Sequence, residues 1–156
     1  MISIKIPGWG DIDIENIVLD LNGTIATDGK IPPEVREKVN ALAEKAKVYI
    51  LTADTQGTAN EEMRNMNVEW AKVSGEDSTE AKMEFFKSLS TEKSVAIANG
   101  SNDQLILKEA ALGIAVLGEE GLSITAMKNA DMAVRSISDA LSLFLKPKRL
   151  IATLRE

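Results

Sequence analysis

The chain opens on strict alternation. Ile2, Ile4 and Ile6 are separated by Ser3 and Lys5, and Ile12 and Ile14 repeat the period after a Pro7-Gly8-Trp9-Gly10 turn. A period of two belongs to half-buried strands, so residues 2–14 predict a β-hairpin, read here as an accessory covering one edge of a sheet. The pattern then changes. Ile17, Val18 and Leu19 form an unbroken apolar run of the kind that fills a parallel strand buried on both faces, and it stops at Asp20, followed by an Asn22-Gly23 turn. Residues 48–51 repeat the figure and end at Thr52; residues 95–98 repeat it and end before Asn99-Gly100. Residues 68–73, 114–117 and 132–134 predict three more strands.

Between these runs the apolar positions return at helical spacing. Pro32-Pro33 starts a helix to about Ala46 with Val35, Val39, Leu42 and Ala43 on one face. Residues 55–66, 79–89 (face Met83, Phe86, Leu89), 102–111 and 121–128 predict further helices. Residues 137–154 carry Leu141, Phe144, Leu145, Leu150, Ile151 and Leu154, with Pro147 dividing two helical pieces; a packed terminal helix and a partner-binding face both account for them. Strand and helix alternate along the chain, which predicts an α/β fold: a three-layer sandwich, its mainly parallel sheet covered by helices on both faces. Such sheets place ligands at the carboxyl ends of their strands, where Asp20, Thr52 and Asn99 fall.

Composition narrows the chemistry. At 156 residues the chain is expected to form one domain, residues 1–156, and 44% hydrophobic residues exclude a disordered chain. With 24 acidic against 18 basic residues the net charge is -6, which disfavours nucleic acid and anionic membranes as partners. Cysteine and histidine are both absent. Disulfides, thiolate sites and every Ser-His or Cys-His arrangement are thereby excluded, leaving carboxylates, Lys, Ser and Thr, with Mg²⁺ as the cation that oxygen donors favour. The first residues lack the basic start and apolar centre of a signal peptide, and no run of about 18 apolar residues occurs, so a cytoplasmic protein is expected.

Four stretches, in order, sit where strands end or a helix faces them: Asp20-Leu21-Asn22-Gly23-Thr24, Thr52, Lys82, and Asn99-Gly100-Ser101-Asn102-Asp103. Together they resemble the four motifs of the haloacid dehalogenase superfamily of phosphoryl-transfer enzymes. Leu51-Thr52-Ala53-Asp54 with Thr58-Ala59, and the fourth stretch with Gly113-Ile114-Ala115-Val116 and Asn129-Ala130-Asp131, are similar to segments of P-type ATPases. Without a membrane span or a nucleotide-binding insertion, the pattern from Ile17 onward resembles the small soluble P-type ATPase-like proteins of bacteria and archaea.

The resemblance implies the superfamily's Rossmann-like core. It also implies residue roles: Asp20 as a nucleophile that forms an aspartyl-phosphate, Thr52 as hydroxyl donor and Lys82 as charge clamp. Gly23, Thr24, Ala53 and Asn102 fall at phosphate-binding positions. Asp20, the main-chain carbonyl of Asn22, Asn99 and Asp103 fall around Mg²⁺. Each has another account. Thr52 also suits a helix cap, Lys82 a solvated helix position with Lys72 and Lys93 as rivals, and Asn102-Asp103 a helix start.

Two departures stand out. Asn22 occupies the position of the general acid/base, whose contribution is typically about 10² to 10⁴ in rate. Asn99 replaces a metal-binding acid. The expectation is a slow Mg²⁺-dependent phosphohydrolase or ATPase; the alternatives are a non-catalytic regulatory module on a degenerate fold and a phospho-acceptor receiver, against which the lone Asp20 argues. Only about 30 residues separate the first two motifs, too few for a cap domain. No small-molecule pocket is expected without one, so either the substrate, a phosphorylated compound, is large, or a second copy of the chain closes the site.

Overall fold

The computed structural model describes residues 1–52, 61–73 and 77–156. Six parallel strands form one sheet in the order β5-β4-β3-β6-β7-β8: β3 (Asn16–Asp20), β4 (Lys47–Thr52), β5 (Glu69–Lys72), β6 (Ser94–Ala98), β7 (Leu112–Val116) and β8 (Met132–Val134). The residues of β3, β6 and β7 are buried throughout, while the edge strands β5 and β8 are partly open, as the unbroken apolar runs demand of central positions.

Because successive residues of a strand face opposite ways, β3 feeds two cores. Ile17 and Leu19 join Val48, Ile50, Val95 and Ile97 on one face, under α1 (Pro33–Ala43), α5 (Ile137–Leu145) and α6 (Pro147–Leu154). Val18 joins Leu51, Ala96 and Ala98 on the other, under α2 (Ser78–Lys87), α3 (Gln104–Glu109) and α4 (Ile124–Asn129). Pro33 at the start of α1 and Pro147 at the start of α6 occupy first-turn positions where a missing N–H costs nothing.

The hairpin of β1 (Ile2–Ile6) and β2 (Gly10–Ile14) is a two-stranded sheet of its own. Its five isoleucines join the core beneath α1, α5 and α6, and β1 packs on α6, so the hairpin extends one helical layer; neither of its strands pairs with the edge strands β5 or β8. The first half of the predicted helix over residues 55–66 lies outside the described residues; of the other half, residues 61–63 are helical. The chain after β3 runs outward through β4 and β5 and returns to the other side of β3 as β6. The strand order reverses there, opening a crevice between the carboxyl ends of β3 and β6.

Candidate active site

Asp20 is the last residue of β3, on one wall of that crevice. The backbone then coils tightly: Ile25 and Ala26 donate to the Leu21 carbonyl, and Gly23 donates to that of Ala26. Gly23 sits at φ 76, where a side chain is strained, and a Cβ there would come within 2.8 Å of both the Asn99 amide and a Glu120 carboxylate oxygen. Among the described residues no backbone N–H donates to the carbonyl of Asn22, whose side chain is exposed.

From the opposite side α2 delivers Lys82. Met83 and Phe86 fix the helix on the sheet, and Lys82 is buried on the same face. Its Nζ donates to Asp20 Oδ1 at 3.2 Å, Asn102 Oδ1 at 3.2 Å and Asp103 Oδ1 at 2.7 Å, using all three of an ammonium's protons. Asp103 is fully buried, and its second oxygen accepts from the Gly100 N–H at 3.1 Å. Asn102 in turn donates to Ser78 Oγ at 3.1 Å, tying the fourth stretch to the start of α2. Of the rival lysines, Lys93 pairs with Glu15 at the surface and Lys72 lies exposed on β5. Thr52 is buried at the end of β4; Ala53 lies outside the described residues, as do Asp54, Thr58 and Ala59.

Burial raises the Asp20 carboxyl to about 7, helped by the nearby Asp103 carboxylate and opposed by the Lys82 ammonium. Burial by itself would lower the Lys82 ammonium, but the carboxylates of Asp20 and Asp103 raise it above its ordinary value. Two buried carboxylates thus share one cation, an arrangement short of positive charge. The chemistry of the donors fits a hard divalent ion: the Asp20 carboxylate and the Asn22 carbonyl are oxygens at the mouth of the crevice. Among the described residues no three acids converge, so an ion held here would draw its remaining ligands from water, which suits Mg²⁺.

Asn99 is tied on both sides. Its Oδ1 accepts from Thr24 Oγ1 at 3.1 Å and its Nδ2 donates to the Gly121 carbonyl at 3.3 Å. A carbonyl only accepts, so this position uses the amide's donor, which a carboxylate lacks. The Asn99 carbonyl also accepts from the Ser123 N–H, and the hydroxyls of Ser101 and Ser123 meet at 2.5 Å. The loop after β7 is thereby fastened to the fourth stretch. Sequence reasoning missed this loop and its Glu120; the Gly118-Glu119-Glu120-Gly121 turn, two acids between glycines, is the signal that marks it.

No protein-family model matches the chain. The crystal structure of 3-deoxy-D-manno-octulosonate 8-phosphate phosphatase from Moraxella catarrhalis, in complex with magnesium, phosphate and 3-deoxy-D-manno-octulosonate, superposes with a TM-score of 0.72 over 91% of this chain and 94% of that one, at 15% identity. The fold is that of the haloacid dehalogenase superfamily. An uncharacterised protein of Methanocaldococcus jannaschii is 44% identical over 80 residues, which are 49% of this chain and 86% of that protein, and the two belong to one family. A soluble P-type ATPase-like phosphatase of the same organism is 24% identical over 143 residues; the match covers 89% of this chain and only 52% of that protein, so the chain spans about half its length. Among the described residues no helix is long and apolar enough to cross a membrane.

Proposed function

We infer that the chain is a phosphohydrolase of this superfamily, acting on a phosphate ester through Asp20 with Mg²⁺ as cofactor. The observation that carries the reading is the buried Lys82 ammonium bonded at once to Asp20, Asn102 and Asp103. In the reaction an Asp20 carboxylate oxygen attacks phosphorus, the bond to the leaving oxygen breaks, and that oxygen takes a proton from water. Water then attacks the aspartyl-phosphate, releasing phosphate and restoring the carboxylate. Lys82 holds Asp20 in place and faces the charge that develops on the phosphoryl oxygens, and on this reading Thr52, Gly23 and Thr24 supply the further contacts to them. Asp103 and Asn102 act as positioning residues, because both hold Lys82. Asp20, the Asn22 carbonyl and Asn99 would hold Mg²⁺, which when bound supplies positive charge beside the phosphoryl group. The kinship with a protein named a P-type ATPase-like phosphatase supports the hydrolase and leaves ATP as one substrate among those to test.

The test is metal-dependent hydrolysis over a panel of phosphate esters by the wild type and Asp20→Ala in parallel, with intact-mass detection of an acid-stable adduct on Asp20. A panel with no Asp20-dependent turnover and no adduct favours the second reading, a regulatory binding module. The observation on its side is that Asn99 is committed to Thr24 and Gly121 where an acid is usual.

Two expected results follow from the charges and from Asn22. In metal-free protein the folded state holds the Asp20 proton to about 7, whereas an unfolded aspartate loses it near 3.8. The stability this group contributes is therefore full below pH 3.8 and is lost as pH rises through about 7. Mg²⁺ should raise the unfolding temperature more at pH 8 than at pH 5, and Asp20→Asn should remove that difference; thermal melts in EDTA and in Mg²⁺ at both pH values measure it. Equal Mg²⁺ shifts in the two proteins would place the ion elsewhere.

Asn22→Asp should accelerate decay of the Asp20 phosphoenzyme by up to about 10², since an amide cannot take a proton from the attacking water and a carboxylate can. Asn22 is exposed and Asp suits the same turn, so the fold survives the change. Single-turnover decay at saturating Mg²⁺ is the measurement; unchanged decay would show that another step sets the pace.

A further inference from the structure

Beside the Asn22-Gly23 turn lies a cleft of about 410 Å³ lined by Gly23 and by Thr24, whose hydroxyl donates to Asn99 at the end of β6. Its size is that of a small-molecule site, although none was expected without a cap. Val35 of α1, Val116 of β7 and Ile137 of α5 give it an apolar wall. Three charged side chains line it: Glu34, Glu119 and Arg135. Arg135 faces Asp139 at 3.8 Å, whereas Glu34 and Glu119 have no hydrogen-bonding or ion-pair partner among the described residues.

The acidic side is built into the site. Gly121 closes the Gly118–Gly121 turn by donating to the Gly118 carbonyl at 3.0 Å, and Asn99 grips the Gly121 carbonyl. Gly118 sits so near the first turn that a Cβ would lie 3.2 Å from the Gly23 carbonyl, and Glu120 adds a carboxylate oxygen against Gly23 itself. The backbone of this rim is therefore held in place, and the exposed carboxylates of Glu119 and Glu120 make it negatively charged.

We propose that this cleft receives the leaving group of the substrate, and that this group is an uncharged or cationic alcohol. A phosphoryl group held at Asp20 and Lys82 leaves its ester oxygen directed past Gly23 and Thr24, where an apolar wall and unpaired carboxylates suit a compact organic alcohol. A chain of further phosphates, as in a nucleoside triphosphate, meets Glu34 and Glu119 in the cleft and Glu120 beside Gly23, against Arg135 as the one cation among the lining residues, itself facing Asp139. Each contact with a carboxylate disfavours an anion by about fivefold at close range, less at high salt. The proposal rests on the phosphohydrolase reading and names its substrate class.

Binding is measured in isotope-labelled Asp20→Asn protein with Mg²⁺, titrated separately with phosphocholine, ATP and inorganic phosphate while amide resonances are followed. Phosphocholine is expected to shift residues 117–119 and 135–138, which phosphate alone leaves in place, and to bind at least about fivefold tighter than ATP at low salt. Glu34→Gln with Glu119→Gln should narrow that ratio several-fold. The proposal is overturned if phosphocholine moves only the residues that phosphate moves, if ATP binds as tightly, or if the paired substitution leaves the ratio unchanged. These outcomes are read without turnover; a wild type that hydrolyses no ester while the cleft shifts stand would overturn the enzyme reading alone.

Discussion

Replacing Lys82 by methionine is expected to cost about 3–5 kcal/mol of folding stability and roughly 10³-fold in phosphoryl transfer. Methionine keeps most of the buried stem that packs beside Met83 and removes the ammonium that touches Asp20, Asn102 and Asp103. Asp103 is fully buried and among the described residues retains only the Gly100 N–H, so one of its oxygens loses its partner in a place water does not reach. Asp20 can respond by binding a proton, because burial already raises its carboxyl to about 7; a protonated Asp20 is no nucleophile. For a domain of this size the loss amounts to roughly 6–20 °C in unfolding temperature. Urea unfolding of Lys82→Met, Asp103→Asn and the double variant closes a mutant cycle, and the double variant should recover part of the stability without recovering activity. A cost under about 1 kcal/mol would show that the three bonds do not hold the site together.

The elements of the fold were legible because each depends on neighbouring residues. Ile17-Val18-Leu19 can only be buried on both sides, and the alternation with helical stretches leaves a parallel sheet as its solution. Placement depends on distant residues and was read less well. The isoleucines of the hairpin predicted its strands but not its position, which α6, more than a hundred residues later, decides. Asp20 and Asn99 lie at adjacent strand ends because β3 and β6 are neighbours across the reversal of strand order. The grip of Asn99 on Thr24 and Gly121 joins residues 75 and 22 positions away, so the sequence showed only a missing acid there; the donor that an amide adds is visible only with Gly121 in place. The cleft was illegible for the same reason: Glu34, Glu119 and Ile137 come from three separate elements and connections.

Gly113→Ala should destabilise the protein by about 3 kcal/mol and loosen the fourth stretch with it. Gly113 lies in β7 where α3 crosses the sheet, and a Cβ on it would lie 2.1 Å from the Leu107 carbonyl oxygen and 2.9 Å from its carbon. Both atoms are backbone, so no rotamer change relieves the overlap; α3 must move off β7. Leu107 is fully buried and α3 begins directly after Asp103, so the shift opens the second core and draws Asp103 away from Lys82. A control separates overlap from backbone strain. Gly29 has φ 78 and nothing within 4 Å of its Cβ position, so Gly29→Ala should cost no more than about 1–2 kcal/mol, for left-handed backbone alone. Chemical denaturation of both variants, with phosphate binding in Mg²⁺, gives the comparison. Gly113→Ala should lose stability and bind phosphate more weakly, while Gly29→Ala should keep its phosphate affinity. Equal stability losses with unchanged phosphate affinity in both would mean that α3 can move on β7 without moving Asp103.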